Sequence, residues 1–180
     1  MNHRLHIRFE QLERATEQLL STATALGAKD HQVPGPEQWS AAHVVQHLLL
    51  AEASIGQYLE KKVMQEDGHA HAGIGSFFRS SLLRVLLRLP FLRFKAPDRL
   101  ARMMPAEIPP ISQLQTEWAS VRRRLEQLLN EFPSKLLGRA IFRHPRSGML
   151  NIYQTLDFMI DHVLRHQRQV ERIARAVQGA

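Results

Sequence analysis

The sequence predicts an all-α protein: a four-helix bundle with a helical insertion between the second and third helices. Three observations carry that expectation. Apolar residues recur at helical spacing in four long stretches, no strand-like alternation of any length interrupts them, and Pro/Gly-bearing loops separate them. At 180 residues the chain is expected to form one domain spanning 1–180.

In the first stretch, RLHIRFEQLERATEQLLSTATALG, the spacing of Leu5, Phe9, Leu12, Leu19 and Leu26 marks one helix face, and Gly27 offers a stop. Pro34, Gly35 and Pro36 then break the chain into a loop. Ser40 stands where an N-cap is wanted, and the second helix is expected to run from Ala41 until Gly68 ends it. A third helix follows Pro110, with Ser112 and Gln115 at capping-box spacing and an apolar stripe of Leu114, Trp118, Val121, Leu125, Leu128 and Leu129. Arg122 to Gln127, RRRLEQ, reads as a solvated face of that helix. Asn151 and Gln154 repeat the capping spacing before a fourth helix, expected to reach about Gln178. Its buried side is Leu156, Met159, Ile160, Val163, Val170, Ile173 and Val177.

The connection between the second and third helices is longer than a tight turn needs, which permits a crossover. Residues 67–104 form its basic and apolar insertion, with Pro90 interrupting SFFRSSLLRVLLRLPFLRFK. Between Arg79 and Arg102 seven cations face one acid, Asp98, so this segment carries nearly all of the formal net charge of +7. The segment is a candidate lid over a cleft or a homodimer interface. Contact of residues 76–95 with an anionic membrane surface is the less favoured reading. Nucleic acid is not expected as a partner, because no recognition-helix motif and no aromatic platform interleaved with Lys or Arg is present.

The chain has no cysteine, which excludes disulfides, Cys-ligated zinc and a protein thiol nucleophile. The opening twenty residues do not read as a signal peptide, and no apolar run reaches the length of a membrane span, so a cytoplasmic location is expected. Phosphate-loop, dinucleotide, nucleophile-elbow and HExxH motifs are all missing.

Any resident metal must therefore be held by histidine or carboxylate, and the sequence offers ten histidines. His162 and His166 are four apart on a helix, about 40° around its axis and with Cβ atoms about 6 Å apart, so both can reach one ion. HVVQH in the second helix supplies a second pair. Of that pair His47 is the better third ligand, lying between Val44 and Leu48, whereas His43 suits an exposed first turn. Three neutral imidazoles leave a position open for water or substrate. Gln169 shares the face of His162 and His166 and is a candidate to orient a ligand ring or touch substrate. His43 is a second such candidate, while Asp161 and Glu52 share no helical face with their nearest ligand. His144, in FRHPRSG, is expected to order the turn before the fourth helix, and His69 and His71 fall in a glycine-flanked loop.

Residues 39–48, WSAAHVVQHL, resemble the opening of the second helix in the DinB-like (DinB/YfiT) superfamily, with a histidine eight places after the tryptophan. Residues 142–170 resemble its C-terminal signature, a His-Pro…Gly turn followed by a capped helix and HxxxHxxQ. PPISQLQTEWASVRRRLEQLL is similar to its third helix. The resemblance implies a four-helix bundle holding a divalent metal, zinc or nickel foremost, on His47, His162 and His166. It also implies an enzyme that transfers an external low-molecular-weight thiol to a small electrophilic substrate, with metal-assisted hydrolysis as the close variant. The alternative is a non-catalytic metal-binding bundle acting as a stress-associated or interaction protein.

Overall fold

The computed structural model describes residues 1–65, 103–145 and 147–179. Residues 67–102 of the insertion, Gly68, His69 and His71 among them, lie outside the described residues. Four long helices dominate: α1 (His3–Thr24), α2 (Ala41–Val63), α3 (Ile111–Asn130) and α4 (Ile152–Gln178). The all-α bundle is the fold that the helical periodicity leads one to expect.

The helix boundaries follow local chemistry. At Ser40 the side chain accepts from the His43 backbone N–H, starting α2. Asn151 and Gln154 form the reciprocal capping box ahead of α4. At α3 the expected box is absent. The helix begins at Ile111 directly after Pro110, whose φ of −56° and ψ of 147° set an extended residue at the boundary, with no side-chain cap. Ser112 therefore falls inside the first turn, two residues too late to cap it. α1 stops at Thr24, and Gly27, at φ 54°, opens a short 3₁₀ turn, Gly27–Lys29.

Two three-residue strands precede α4, β1 (Phe142–His144) and β2 (Gly148–Leu150), paired antiparallel. They correct the expectation of no strand. Three residues are too few to show an alternation, so the hairpin has no period to read. His144 Nδ1 accepts from the Ser147 N–H at 3.1 Å, tying the hairpin's turn as its position before α4 suggests. Tyr58 packs edge-on against Phe142 at 5.5 Å between centroids, fixing the hairpin to α2.

The helices run up, down, down, up. Arg8 meets Asp157 at 2.9 Å, Gln167 meets Thr22 at 3.0 Å and the Lys29 ammonium meets the Val177 carbonyl at 2.8 Å, so α1 and α4 are parallel. Trp118 donates to Glu52 and Arg124 pairs with Glu60, which makes α2 and α3 parallel as well. A ring nitrogen of His31 lies 2.9 Å from the Ile108 carbonyl, placing the loop after α1 beside the approach to α3. The C-terminal end of α2 and the N-terminal end of α3 therefore lie at opposite ends of the bundle, about 34 Å apart for a helix of this length. α4 packs on both α1 and α2, and that contact places the C-terminal histidines against the second helix.

The core is a continuous apolar cluster from all four helices, including Leu5, Leu12, Leu59, Leu114, Trp118, Leu129, Leu156 and Val170. A buried ion pair, Arg122 with Glu52, lies within it. Arg122 is only 5% exposed, correcting the reading of its segment as a solvated face. It bonds Glu52 through Nε at 2.6 Å and through a terminal nitrogen at 2.8 Å, and it also pairs with Glu13 and Thr16 Oγ1. Burial alone would lower this guanidinium, but the hydrogen bonds and charge of Glu52, then Glu13, outweigh it and raise its pKa.

Candidate metal centre

His47 enters the bundle interior from the second turn of α2, where Ser40 has fixed the helix start and Val44 and Leu48 flank it with apolar surface. His162 and His166 come from the middle of α4, one turn apart on the side turned to α2. One nitrogen from each of the three rings lies within 4.8 Å of the other two. The Nε2 atoms of His47 and His162 are 3.4 Å apart although the residues are 115 positions apart in sequence.

All three rings are held neutral. Burial pushes His47 down to about 4 and His166 down to about 3, the latter also by the charge of His47. His162 falls well below its ordinary value, first by burial and then by His166 and His47. A neutral imidazole keeps one nitrogen lone pair, which is the form that ligates metal. The His166 Nδ1–H donates to Gln169 Oε1 at 2.8 Å, which leaves its Nε2 as the lone-pair nitrogen.

These residues fit a divalent metal. In a tetrahedral site with nitrogen ligands at about 2.0–2.1 Å, neighbouring ligand atoms are about 3.3 Å apart, close to the His47–His162 nitrogen separation. His47 Nδ1 is buried with no hydrogen-bond partner. That orphan costs about 1–3 kcal/mol whether or not Nε2 holds an ion, so the fit rests on the converging neutral nitrogens and their spacing.

Aromatic rings wall the cluster. Trp39 packs against His47 at 5.1 Å between centroids, and Phe158 stacks on His162 at 5.4 Å and 14°. Phe158 also meets His144 at 4.5 Å between centroids. Sequence reasoning gave neither aromatic residue a place at the site. The usable signals were Phe158 one helical turn before His162, and Trp39 just ahead of the N-cap that sets the approach of His47.

The remaining candidates are elsewhere engaged. His43 Nδ1 lies 2.7 Å from Ser40 Oγ at the helix cap, outside the group of three converging nitrogens, and burial then the charge of His31 lower it. Glu52 belongs to the Arg122 network. Asp161 is buried and lines an open groove between α1 and α4 with Arg14, Gln18 and Leu164, on another side of α4 from the histidines. Among the described residues no helix is long and apolar enough to cross a membrane.

No curated protein matches the sequence. A family model for the DinB superfamily matches residues 9–170, from the second turn of α1 through both histidine segments to the Val170 position of α4. With the bundle, the capped histidine helices and a match over most of its length, the chain belongs to the DinB superfamily.

Proposed function

We propose that His47, His162 and His166 together hold one divalent metal ion, zinc or nickel, in a single-domain enzyme that transfers a low-molecular-weight thiol to an electrophile. Metal-assisted hydrolysis is the close variant. One observation carries the reading: three neutral imidazoles from two helices present their nitrogens to one point, with Trp39 and Phe158 packed against two of the rings. Nitrogen donors of this kind suit zinc, nickel, copper or iron. A divalent cation supplies Lewis acidity, lowering the pKa of water or a thiol toward neutrality.

The chain's own residues account for the rest. Gln169 fixes the His166 tautomer through its Nδ1–H. Trp39 and Phe158 keep bulk water from two of the rings, which strengthens every electrostatic contact made there. The absence of cysteine means that the thiol comes from outside the protein.

Elemental analysis of protein purified without a histidine tag tests the metal. One ion per chain is expected, falling to background in the His162→Ala/His166→Ala double variant while helical circular dichroism is unchanged. Turnover of an electrophile such as an epoxide with added thiol should vanish in the same variant. Wild-type protein without bound metal overturns the proposal. Metal without turnover on thiol and hydrolytic substrates replaces it with the non-catalytic bundle.

A further inference from the structure

The histidines share their strip of α4 with cations that the proposed chemistry has not used. Steps of three and four residues run His162, Arg165, Gln169, Arg172, with His166 alongside. Exposure rises along the strip: His162, Arg165, His166 and Gln169 are partly buried, and Arg172 is exposed. The strip thus leads from the recess to solvent and carries guanidinium groups along the way. The acid between them, Glu171, accepts from Gln167, whose amide also reaches Thr22 of α1, so it belongs to the opposite flank.

The charges reach the site. Arg165 adjoins His166 in sequence, and Arg172 lies one step past Gln169 on the same strip. Arg168 stands three residues beyond Arg165 and four before Arg172. Three like charges at spacings of three and four residues repel one another, and a dication in the recess adds to the positive field. An arriving anion relieves that repulsion. A guanidinium has five donors, so one engaged with a neighbour keeps others for a ligand.

We propose that Arg165 and Arg172 are specificity-determining residues that receive a carboxylate or phosphate on the small molecule entering the histidine recess. This inference rests on the metal-site reading above and narrows its substrate or cosubstrate to anions. The apolar part of the molecule is left to the Trp39 and Phe158 rings, and the anionic part to the arginine strip. Arginine suits the task because its planar fork matches a carboxylate or phosphate with two parallel hydrogen bonds.

The test compares two thiols that differ in one group, 3-mercaptopropionate and 2-mercaptoethanol, by calorimetric titration into metal-loaded protein, with metal content measured in every sample. Wild type should bind the carboxylated thiol roughly tenfold or more tightly, the value of one charge-assisted contact. That preference should shrink as salt is raised. In Arg165→Gln/Arg172→Gln the two thiols should bind within about twofold of each other, with metal content unchanged, and Arg165→Lys should retain part of the preference. Inorganic phosphate should compete with 3-mercaptopropionate in wild type alone. Equal binding of the two thiols by metal-loaded wild type overturns the inference and leaves the metal site standing. A preference that survives in the double variant also overturns it, because the anion is then held by something other than these arginines. A wild-type chain that takes up no metal overturns both readings.

Discussion

Arg122 and His47 are buried to almost the same depth, 5% and 4% exposed, and their surroundings are opposite in kind. Around Arg122 the polar groups close on each other. Two carboxylates, a threonine hydroxyl and the Trp118 indole complete a network in which both Glu52 oxygens are bonded. Around His47 nothing closes. One ring nitrogen is orphaned and the other faces a second neutral imidazole. A satisfied buried cluster holds helices in register, whereas an unsatisfied one awaits something from outside the chain.

The largest effect should come from opening the closed cluster. Arg122→Met leaves Glu52 buried without its cation and should destabilise the fold by about 3–5 kcal/mol in denaturant titration. Adding Glu52→Leu should recover much of that loss, since an apolar replacement of the whole pair is often neutral. Metal content per folded molecule should be unaffected by either change, and a parallel loss of metal would merge the two clusters into one. Gln169→Leu acts on the open cluster. With the Nδ1–H acceptor gone, metal affinity measured by chelator competition should fall about 10–100-fold with little change in folding stability. Unchanged affinity would remove Gln169 from the site.

The smallest expected effect is also the most discriminating. In metal-free protein, His47→Leu removes the orphaned nitrogen at similar volume and should raise stability by about 1 kcal/mol. It should also flatten the acid limb of the stability curve. His47 is held near 4 in the fold against 6.5 when free, so below 6.5 the unfolded chain gains a proton that the folded chain refuses. The stability associated with this residue is therefore present above pH 6.5 and is lost as the pH falls toward 4. A variant less stable than wild type would place His47 among ordinary core residues.

How much of this the sequence disclosed depends on the range of the signal. Caps at Ser40 and Asn151 are decided by neighbours three residues away, and both are in place. The histidine pair of α4 is equally local. Arg122 shows the opposite failure. The buried face of α3 runs Ile111, Leu114, Trp118, Arg122, Leu125, Leu129, an unbroken series of three- and four-residue steps. Position in that series marked Arg122 as internal, but its chemistry marked it as solvated, and the partners that reconcile the two lie on α1 and α2. Helix direction was not legible either. An amphipathic stripe looks the same whichever way its helix points, so parallel pairing emerged only from contacts such as Lys29 with Val177. Phe158 stands one turn before His162 on the same helix, so its place could be read from spacing, whereas that of Trp39 depends on the path of the chain ahead of Ser40.

The parallel pairing of the first and last helices sets an order of events during synthesis. α1 finds its most extensive packing partner in α4, and α4 is the last of the four helices to leave the ribosome. His47 is exposed to solution for 115 residues of elongation before His162 follows it. A chain that stops short of α4 therefore lacks half of its principal interface and two of the three converging imidazoles. In the proposed site, cation capture waits until α4 has been made.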